Sequence, residues 1–210
     1  MKIKFRIYSE TYSLGLQRDL TMPLDLPQAE FPLTIRPLRE SDIPKIFDFK
    51  RPGLSKHDEI DLVTRLEHHY ANIPTCYVAV ASDDTPVFME WLMGHAENKK
   101  IQAHFNEIFP VLSPDELLLE NAYTVREFRG KGVMAAAAAG ISELGKKVGA
   151  KLVLTFIEQN NIASLKASKR AGFFPYTMRH EKWFLFHRTL TFSELPASVP
   201  SASESTPAKN

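Results

Sequence analysis

The stretch from Leu117 to Ile157 constrains the fold of this chain most. An apolar run, Leu117 to Thr124, leads into Val125-Arg126-Glu127-Phe128-Arg129-Gly130-Lys131-Gly132-Val133-Met134, and alanines follow from Ala135 to Ala139. A second, nearly continuous apolar run covers Lys151 to Ile157. The order reads strand, glycine turn, helix, strand. Ala137, Ile141, Leu144 and Val148 fall on one helical face, and Gly149 is placed to end the helix. A near-continuous apolar strand suits a buried parallel position, so the unit is a β-α-β crossover, expected to be right-handed. At such a junction the first helical N–H groups lack partners, and with the helix dipole they make a seat for an anion. Gly130 and Gly132 let the backbone curl and approach a ligand closely, and Arg129 and Lys131 add positive charge. A diphosphate suits this seat.

The turn is not a G-x-x-x-x-G-K-[ST] loop. Nor is it G-x-G-x-x-G, because Ala135 holds the third glycine position and no acidic residue closes a following strand in the usual place. Arg129-Gly130-Lys131-Gly132-Val133-Met134 resembles the [Q/R]-x-x-G-x-[G/A] signature of the GNAT superfamily of N-acetyltransferases, with Met134 in place of the final small residue. A second segment resembles that family's N-x-x-[A/S]-x-x-x-Y-x-[K/R]-x-G-F: Asn161, Ser164, Arg170, Gly172 and Phe173 fit, and Ser168 stands at the tyrosine position. Asn161 can cap a short helix that Gly172 ends. The two signatures flank the β-α-β unit in the family's order, and the resemblance spans roughly residues 33–188.

The rest of the chain fits around that unit. Residues 1–32 read as an extension: Ile3, Phe5 and Ile7 alternate as in a short strand, Tyr12 to Leu20 is its candidate partner, and Pro23, Pro27 and Pro32 mark a linker. This extension could also be a dimer contact. Leu33 to Leu38 is the first core strand. Ser41 is a candidate helix cap, and Asp58 to Tyr70 a helix with Ile60, Val63, Leu66 and Tyr70 as its apolar stripe. Thr75 to Ala81 and Pro86 to Gly94 form a hairpin, Ile101 to Phe109 an inserted helix, and Phe174 to Arg179 with Lys182 to Thr189 a closing hairpin. Residues 33–192 make the domain, and 193–210, rich in Ser, Pro and Ala, a disordered tail. The 210 residues are 44% hydrophobic with net charge +1, which gives no global argument for nucleic acid. Cys76 is the single cysteine, so a disulfide within the chain is excluded. The alternating start is not a signal peptide, and no apolar run spans a bilayer, so the expected setting is cytoplasmic.

The resemblance implies an α/β fold in which a central mixed sheet, flanked by helices, has two parallel strands splayed apart. The acyl-CoA arm lies in that gap, bonded to strand backbone. On this chain it implies that Tyr123, Thr124 and Val125 offer backbone groups to the arm, and that the amides from Gly130 through Lys131, Gly132 and Val133 to Met134, beside Arg129, hold the diphosphate. Asn161 and Ser164 approach from the other strand. A strand N–H near Val125 would stabilise the oxyanion. The chemistry is attack of a neutral amine on the acetyl-CoA thioester, which needs a proton acceptor. Glu120 is the candidate base, placed on one pleat face with Leu118 and Thr124; its structural alternative is pairing with an arginine such as Arg36. Glu90 is a second candidate. Ser168 working through water, Tyr123 and Tyr176 are the candidate acids; the alternatives are that CoA leaves as thiolate without a dedicated acid and that Ser168 is a plain polar helix residue. The amine acceptor stays unidentified, and a non-catalytic CoA-binding module with the same fold is the alternative. Trp91, Phe105, Phe109, Trp183 and Phe184 could be core or an acceptor wall. The seven histidines show no metal-binding pattern, and Cys76, without an adjacent base, reads as a small core residue.

Overall fold

The structure, a computed structural model, describes residues 8–195. Ile3, Phe5 and Ile7 and nearly all of the Ser/Pro/Ala-rich tail lie outside the described residues. Eight strands are present: β1 (Tyr8–Asp19), β2 (Thr34–Pro37), β3 (Cys76–Val80), β4 (Pro86–Gly94), β5 (Glu116–Thr124), β6 (Leu152–Glu158), β7 (Phe174–Phe184) and β8 (His187–Ser193). Five α-helices accompany them: α1 (Ile43–Ile46), α2 (Lys56–Tyr70), α3 (Asn98–His104), α4 (Val133–Glu143) and α5 (Ile162–Arg170). The strands form one mixed sheet in the order β2-β3-β4-β5-β6-β1-β7-β8. Only β5 and β6 run parallel; every other neighbouring pair is antiparallel.

Each face of the sheet carries its own core. On one side α4 lays Val133, Ala137, Ala138 and Ile141 against Phe88, Leu119, Val153 and Leu16, with Leu165 of α5 at the margin. On the other, Ile46 of α1, Leu62 of α2 and Ile101 of α3 pack on Met89, Trp91, Leu118 and Phe156. The crossover expected between β5 and β6 is present. Its helix passes into a 3₁₀ turn at Leu144–Val148 and stops at Gly149, whose φ of 78° only glycine adopts without strain.

Three elements depart from the sequence expectation. In α2, Ile60, Val63 and Tyr70 of the expected stripe point to solvent while Leu66 packs against the core, and the buried face carries Asp58, Leu62 and His68. Ser55 caps that helix in a reciprocal box with Asp58, which fixes the rotation about its axis. The closing hairpin turns at Leu185–Phe186, both at positive φ, instead of near residue 180, so β7 is longer than expected. Finally, residues 8–19, expected in an extension outside the domain, belong to the main sheet. They form one strand inside the sheet, between β6 along Ser13–Asp19 and β7 along Tyr8–Gln17. Leu14, Leu16 and Leu20 are buried there, and Arg18, 2% exposed, donates to the Ala139 carbonyl at 2.8 Å and pairs with Glu143.

Candidate active site

The site begins with a defect in β5. Met89 opposes Tyr123 and Trp91 opposes Glu120, so Asn121 and Ala122 together face the single residue Glu90. This is a β-bulge, and Asn121 takes the left-handed conformation (φ 62°) that asparagine tolerates better than most residues. The extra residue reverses the pleat. Leu118 and Glu120 point to the α2 side, but beyond the bulge it is Tyr123 and Val125 that do so. Thr124, opposite Phe88 of the other core, therefore lies on the face opposite Glu120, correcting the expected grouping. The bulge also frees β5 from β6. Their parallel pairing covers only Glu116–Leu118 against Leu152–Leu154, although both strands continue. A gap opens beyond Leu118.

A two-chambered cleft occupies the gap and its mouth. The outer chamber, about 490 Å³, is lined by Tyr123, Thr124, Arg129, Gly130, Gly132, Val133 and Met134, and by α5 through Asn161, Ser164, Lys166 and Arg170. Gly130 and Gly132 have φ of 79° and 74°, so the turn curls as expected. Among the described residues no group accepts from the amides of Gly130 to Met134; the first bond of the helix is Ala136 N–H to the Gly132 carbonyl. Lys166 and Arg170 make no ion pair among the described residues and face this chamber. They are cations that sequence reasoning had not assigned to the site; their spacing along α5 was the available signal. The linker before β2 backs the turn: Glu30 N–H donates to the Lys131 carbonyl at 3.0 Å. A Cβ on Gly132 would lie 3.1 Å from the Gln28 carbonyl oxygen. Substitution there would thus displace the linker as well as strain the turn.

The inner chamber, about 230 Å³, holds Glu90, Glu120, Glu158 and Ser168 with Thr155 and Phe156. Glu120 reaches across the gap. Its Oε1 accepts from Phe156 N–H at 2.6 Å, with Thr155 Oγ1 at 3.5 Å, so it caps a β6 amide that the splay has left unpaired. Burial outweighs that hydrogen bond and the nearby Arg179, and its pKa is pushed up to about 7. Arg36 is engaged elsewhere, by Asp42 and Asp84, and is not a partner of Glu120. Glu90, 3% exposed, has a carboxylate oxygen with no hydrogen-bond partner among the described residues. Burial, then the Glu120 charge, push its pKa well above the usual range.

A stability prediction follows from Glu90. A carboxyl whose folded pKa is raised favours the native state below its unfolded pKa, near 4.5, and that contribution is lost as pH rises. Glu90→Gln is therefore expected to raise the melting temperature at pH 8 and to have little effect at pH 4. Equal shifts at both pH values would show that Glu90 does not titrate in this way.

Two guanidinium groups lie along the open edge of β5. Val125 N–H donates to the Val87 carbonyl at 2.9 Å, so Tyr123 and Val125 turn their backbone groups toward β4, and Ala122 and Thr124 turn theirs toward the gap. The Val125 N–H is thus already committed, and of the strand amides near it Thr124 N–H is the one turned to the gap. Arg65, from α2, donates to the Ala122 carbonyl through Nη2 at 2.6 Å and Nε at 3.2 Å, and to the Asp61 carbonyl at 2.8 Å. Arg129 donates to the Thr124 carbonyl at 3.0 Å and pairs with the buried Asp58 at 2.7 Å. The charge of Arg129, read from the sequence as free for the anion, is thus shared with the α2 cap. Bonds of this charge-assisted kind contribute about 1.5–3 kcal/mol each where buried, as around Arg65, and less at Arg129, which is 43% exposed. The Tyr123 ring centre lies within 5.7 Å of both guanidiniums, and its buried hydroxyl has no hydrogen-bond partner among the described residues. Burial pushes its pKa up.

The structure separates the remaining candidates. Ser168 lines the chamber with Glu120; Tyr123 lines the outer one. Tyr176 lines neither, and burial pushes its hydroxyl up to about 12. Lys131 turns away over the Phe128 ring. Trp91, Phe105 and Phe109 are core, and Phe184 is exposed on the β7–β8 hairpin. His68 is buried beside Trp91 and 2.6 Å from His104, and burial lowers its pKa to about 3. Burial raises the thiol pKa of Cys76. Among the described residues no group of three or more His, Cys, Asp or Glu is placed to hold a metal, and no helix is long and apolar enough to cross a membrane.

No curated protein matches the chain. Solved structures share the fold. An acetyltransferase of the GNAT family from Colwellia psychrerythraea aligns over 90% of this chain and 57% of its own, at 14% identity and a TM-score of 0.52. A GCN5-related N-acetyltransferase from Sphaerobacter thermophilus aligns over 92% and 56%, at 15% identity and a TM-score of 0.52. A GCN5-related glucosamine N-acetyltransferase region of a fungal multi-domain GH3 β-N-acetylglucosaminidase aligns over 89% of this chain and 21% of that one, at 14% identity and a TM-score of 0.60. The chain thus spans little more than half the length of the first and second of these, and about a fifth of the third. The model of the acetyltransferase (GNAT) domain matches residues 32–174, which hold the glycine turn, the splayed strands and α5. The chain belongs to the GNAT acetyltransferase family.

Proposed function

We propose that this protein is an acyl-CoA-dependent N-acyltransferase that moves an acetyl group from acetyl-CoA to a primary amine. The observation that carries the reading is the row of unpaired amides from Gly130 to Met134, opening onto a cleft that continues between the parted strands to Glu120. The donor fits the residues present. Its diphosphate would take the turn amides, and Lys166 and Arg170 would face its phosphates. The arm would lie along the free edges of β5 and β6, near Asn161 and Ser164, whose own hydrogen bond to each other already caps α5.

The donor supplies an activated acyl carbon, and the residues around it do the rest. Glu120 accepts the proton that the amine must lose; a group titrating near neutrality is suited to that task. Ser168 is the hydroxyl that can return a proton to the departing sulfur through water. A raised pKa also occurs at structural carboxylates, so the geometry at the gap gives Glu120 its weight.

The first test is ligand-induced stabilisation. Acetyl-CoA at a hundred times its Kd stabilises the native state by about 2.7 kcal/mol, which for a chain of this size raises the melting temperature by about 5–10 °C. Release of free thiol with a panel of primary amines then reads the transfer itself. No thermal shift at millimolar donor would remove the reading. A shift without thiol release from any amine would favour a CoA-binding module.

A further inference from the structure

We infer that Arg65 is the group that hydrogen-bonds the thioester carbonyl and stabilises its oxyanion, the part that a strand amide near Val125 was expected to play. The inference rests on the acyltransferase reading above. Four observations carry it. Val125 N–H is occupied by Val87. Arg65 lines both chambers, at the passage where donor arm and reacting carbon must meet, and it is the one cationic side chain among the residues lining both. Its guanidinium is fixed in place by the carbonyls of Asp61 and Ala122, with Asn121 at 3.3 Å. The side chain is 14% exposed, so little water competes for it.

The donor arithmetic leaves room for a ligand. A guanidinium has five N–H bonds. Here Nε serves the bulge carbonyls, one Nη2–H serves Ala122 and one Nη1–H the Asp61 carbonyl, leaving the second Nη2–H and the second Nη1–H, whose nitrogen lies 3.5 Å from the Asp61 carboxylate. The bulge that opens the gap thus also places the arginine: the Asn121 and Ala122 carbonyls that hold Arg65 are the two inserted opposite Glu90. The step balances. The amine nitrogen bonds to the acyl carbon and the C=O electron pair moves to oxygen, where Arg65 donates. Glu120 takes the proton from nitrogen. The C=O re-forms, the C–S bond breaks, and the thiolate leaves with the C–S pair and takes a proton from solvent relayed through water at the Ser168 hydroxyl.

The test uses acetyl-CoA carrying a ¹³C=O label, bound to the whole chain. In the native protein the thioester carbonyl stretch shifts to lower wavenumber on binding, because a charged donor weakens the C=O bond. In Arg65→Met the shift is lost, donor affinity is retained and kcat falls about 100-fold, as for removal of one oxyanion donor. Arg65→Lys keeps a cation without the fork and recovers part of both readouts. An unshifted band in the native protein overturns the assignment without depending on any variant. So does a band shift that survives in Arg65→Met, which would point to the Thr124 N–H. Tighter donor binding with undiminished kcat in Arg65→Met would mean that the guanidinium only fills the empty gap, and would also overturn it. Absence of donor binding to the native protein would instead sink the acyltransferase reading, and this assignment with it.

Discussion

Glu120→Gln is expected to lower kcat by about 10²–10⁴-fold, the usual span for loss of a positioned proton acceptor, while leaving acetyl-CoA affinity unchanged. The substitution is informative because glutamine keeps the oxygen that accepts from Phe156 N–H. The gap stays capped and the strands stay parted; only the capacity to take a proton goes. The pH profile separates this role further. Burial holds Glu120 near pKa 7, so its ionised, proton-accepting fraction rises as pH increases through neutrality. Below that point the native rate falls tenfold per pH unit, in addition to the slope set by the amine's own protonation. The variant shows the amine's slope alone. Donor affinity, read by the thermal shift, stays level across the same range. A Glu120→Gln protein with native turnover, or a native profile with no inflection near 7, would show that the carboxylate only caps the Phe156 amide.

Much of this site was legible in the residues, and what was hidden was hidden for physical reasons. The glycine turn could be read because positive φ demands glycine at Gly130 and Gly132. The α5 cap could be read because Asn161 accepts from the Ser164 amide at the usual spacing. The splay itself came only from family resemblance, and its local cause, the bulge at Asn121 and Ala122, went unread. Asn121 was the signal: an asparagine inside an apolar strand is a poor strand former but enters the left-handed region easily. Missing it reversed the pleat and put Thr124 on the wrong face. Arg65 was missed for a related reason. Apolar periodicity in α2 favours the stripe of Ile60, Val63, Leu66 and Tyr70, but only Leu66 of these packs on the core, and Arg65 turns inward to serve the Ala122 carbonyl at the gap. Patterns of hydrophobicity do not reveal a polar side chain buried to satisfy a distant strand.

A chain beginning at Phe31, just before the stretch that matches the family model, is expected not to fold cooperatively. The family match starts at residue 32 and so omits β1, yet β1 lies inside the sheet between β6 and β7. Removing it leaves the far edge of β6 unpaired along Leu152–Glu158, and detaches the β7–β8 hairpin from the rest of the sheet. Open strand edges of this kind promote association. The loss extends beyond the backbone ladder. Leu14, Leu16 and Leu20 are buried, and burial of each such side chain is worth about 1.5–3 kcal/mol. Arg18 is lost as well, leaving Glu143 without its arginine and the Ala139 carbonyl without its donor. Arg179, 9% exposed, loses Ser13 Oγ at 3.1 Å. Together these approach the whole of a typical folding free energy, about 5–15 kcal/mol. The measurement is a calorimetric melt of the shortened chain beside the full one, each with and without acetyl-CoA. The full chain should show one cooperative transition that the donor raises, and the shortened chain no transition and no response. If instead the shortened chain melted sharply and still answered to acetyl-CoA, residues 8–19 would be an appendage to a domain complete without them, and β6 would tolerate an open edge.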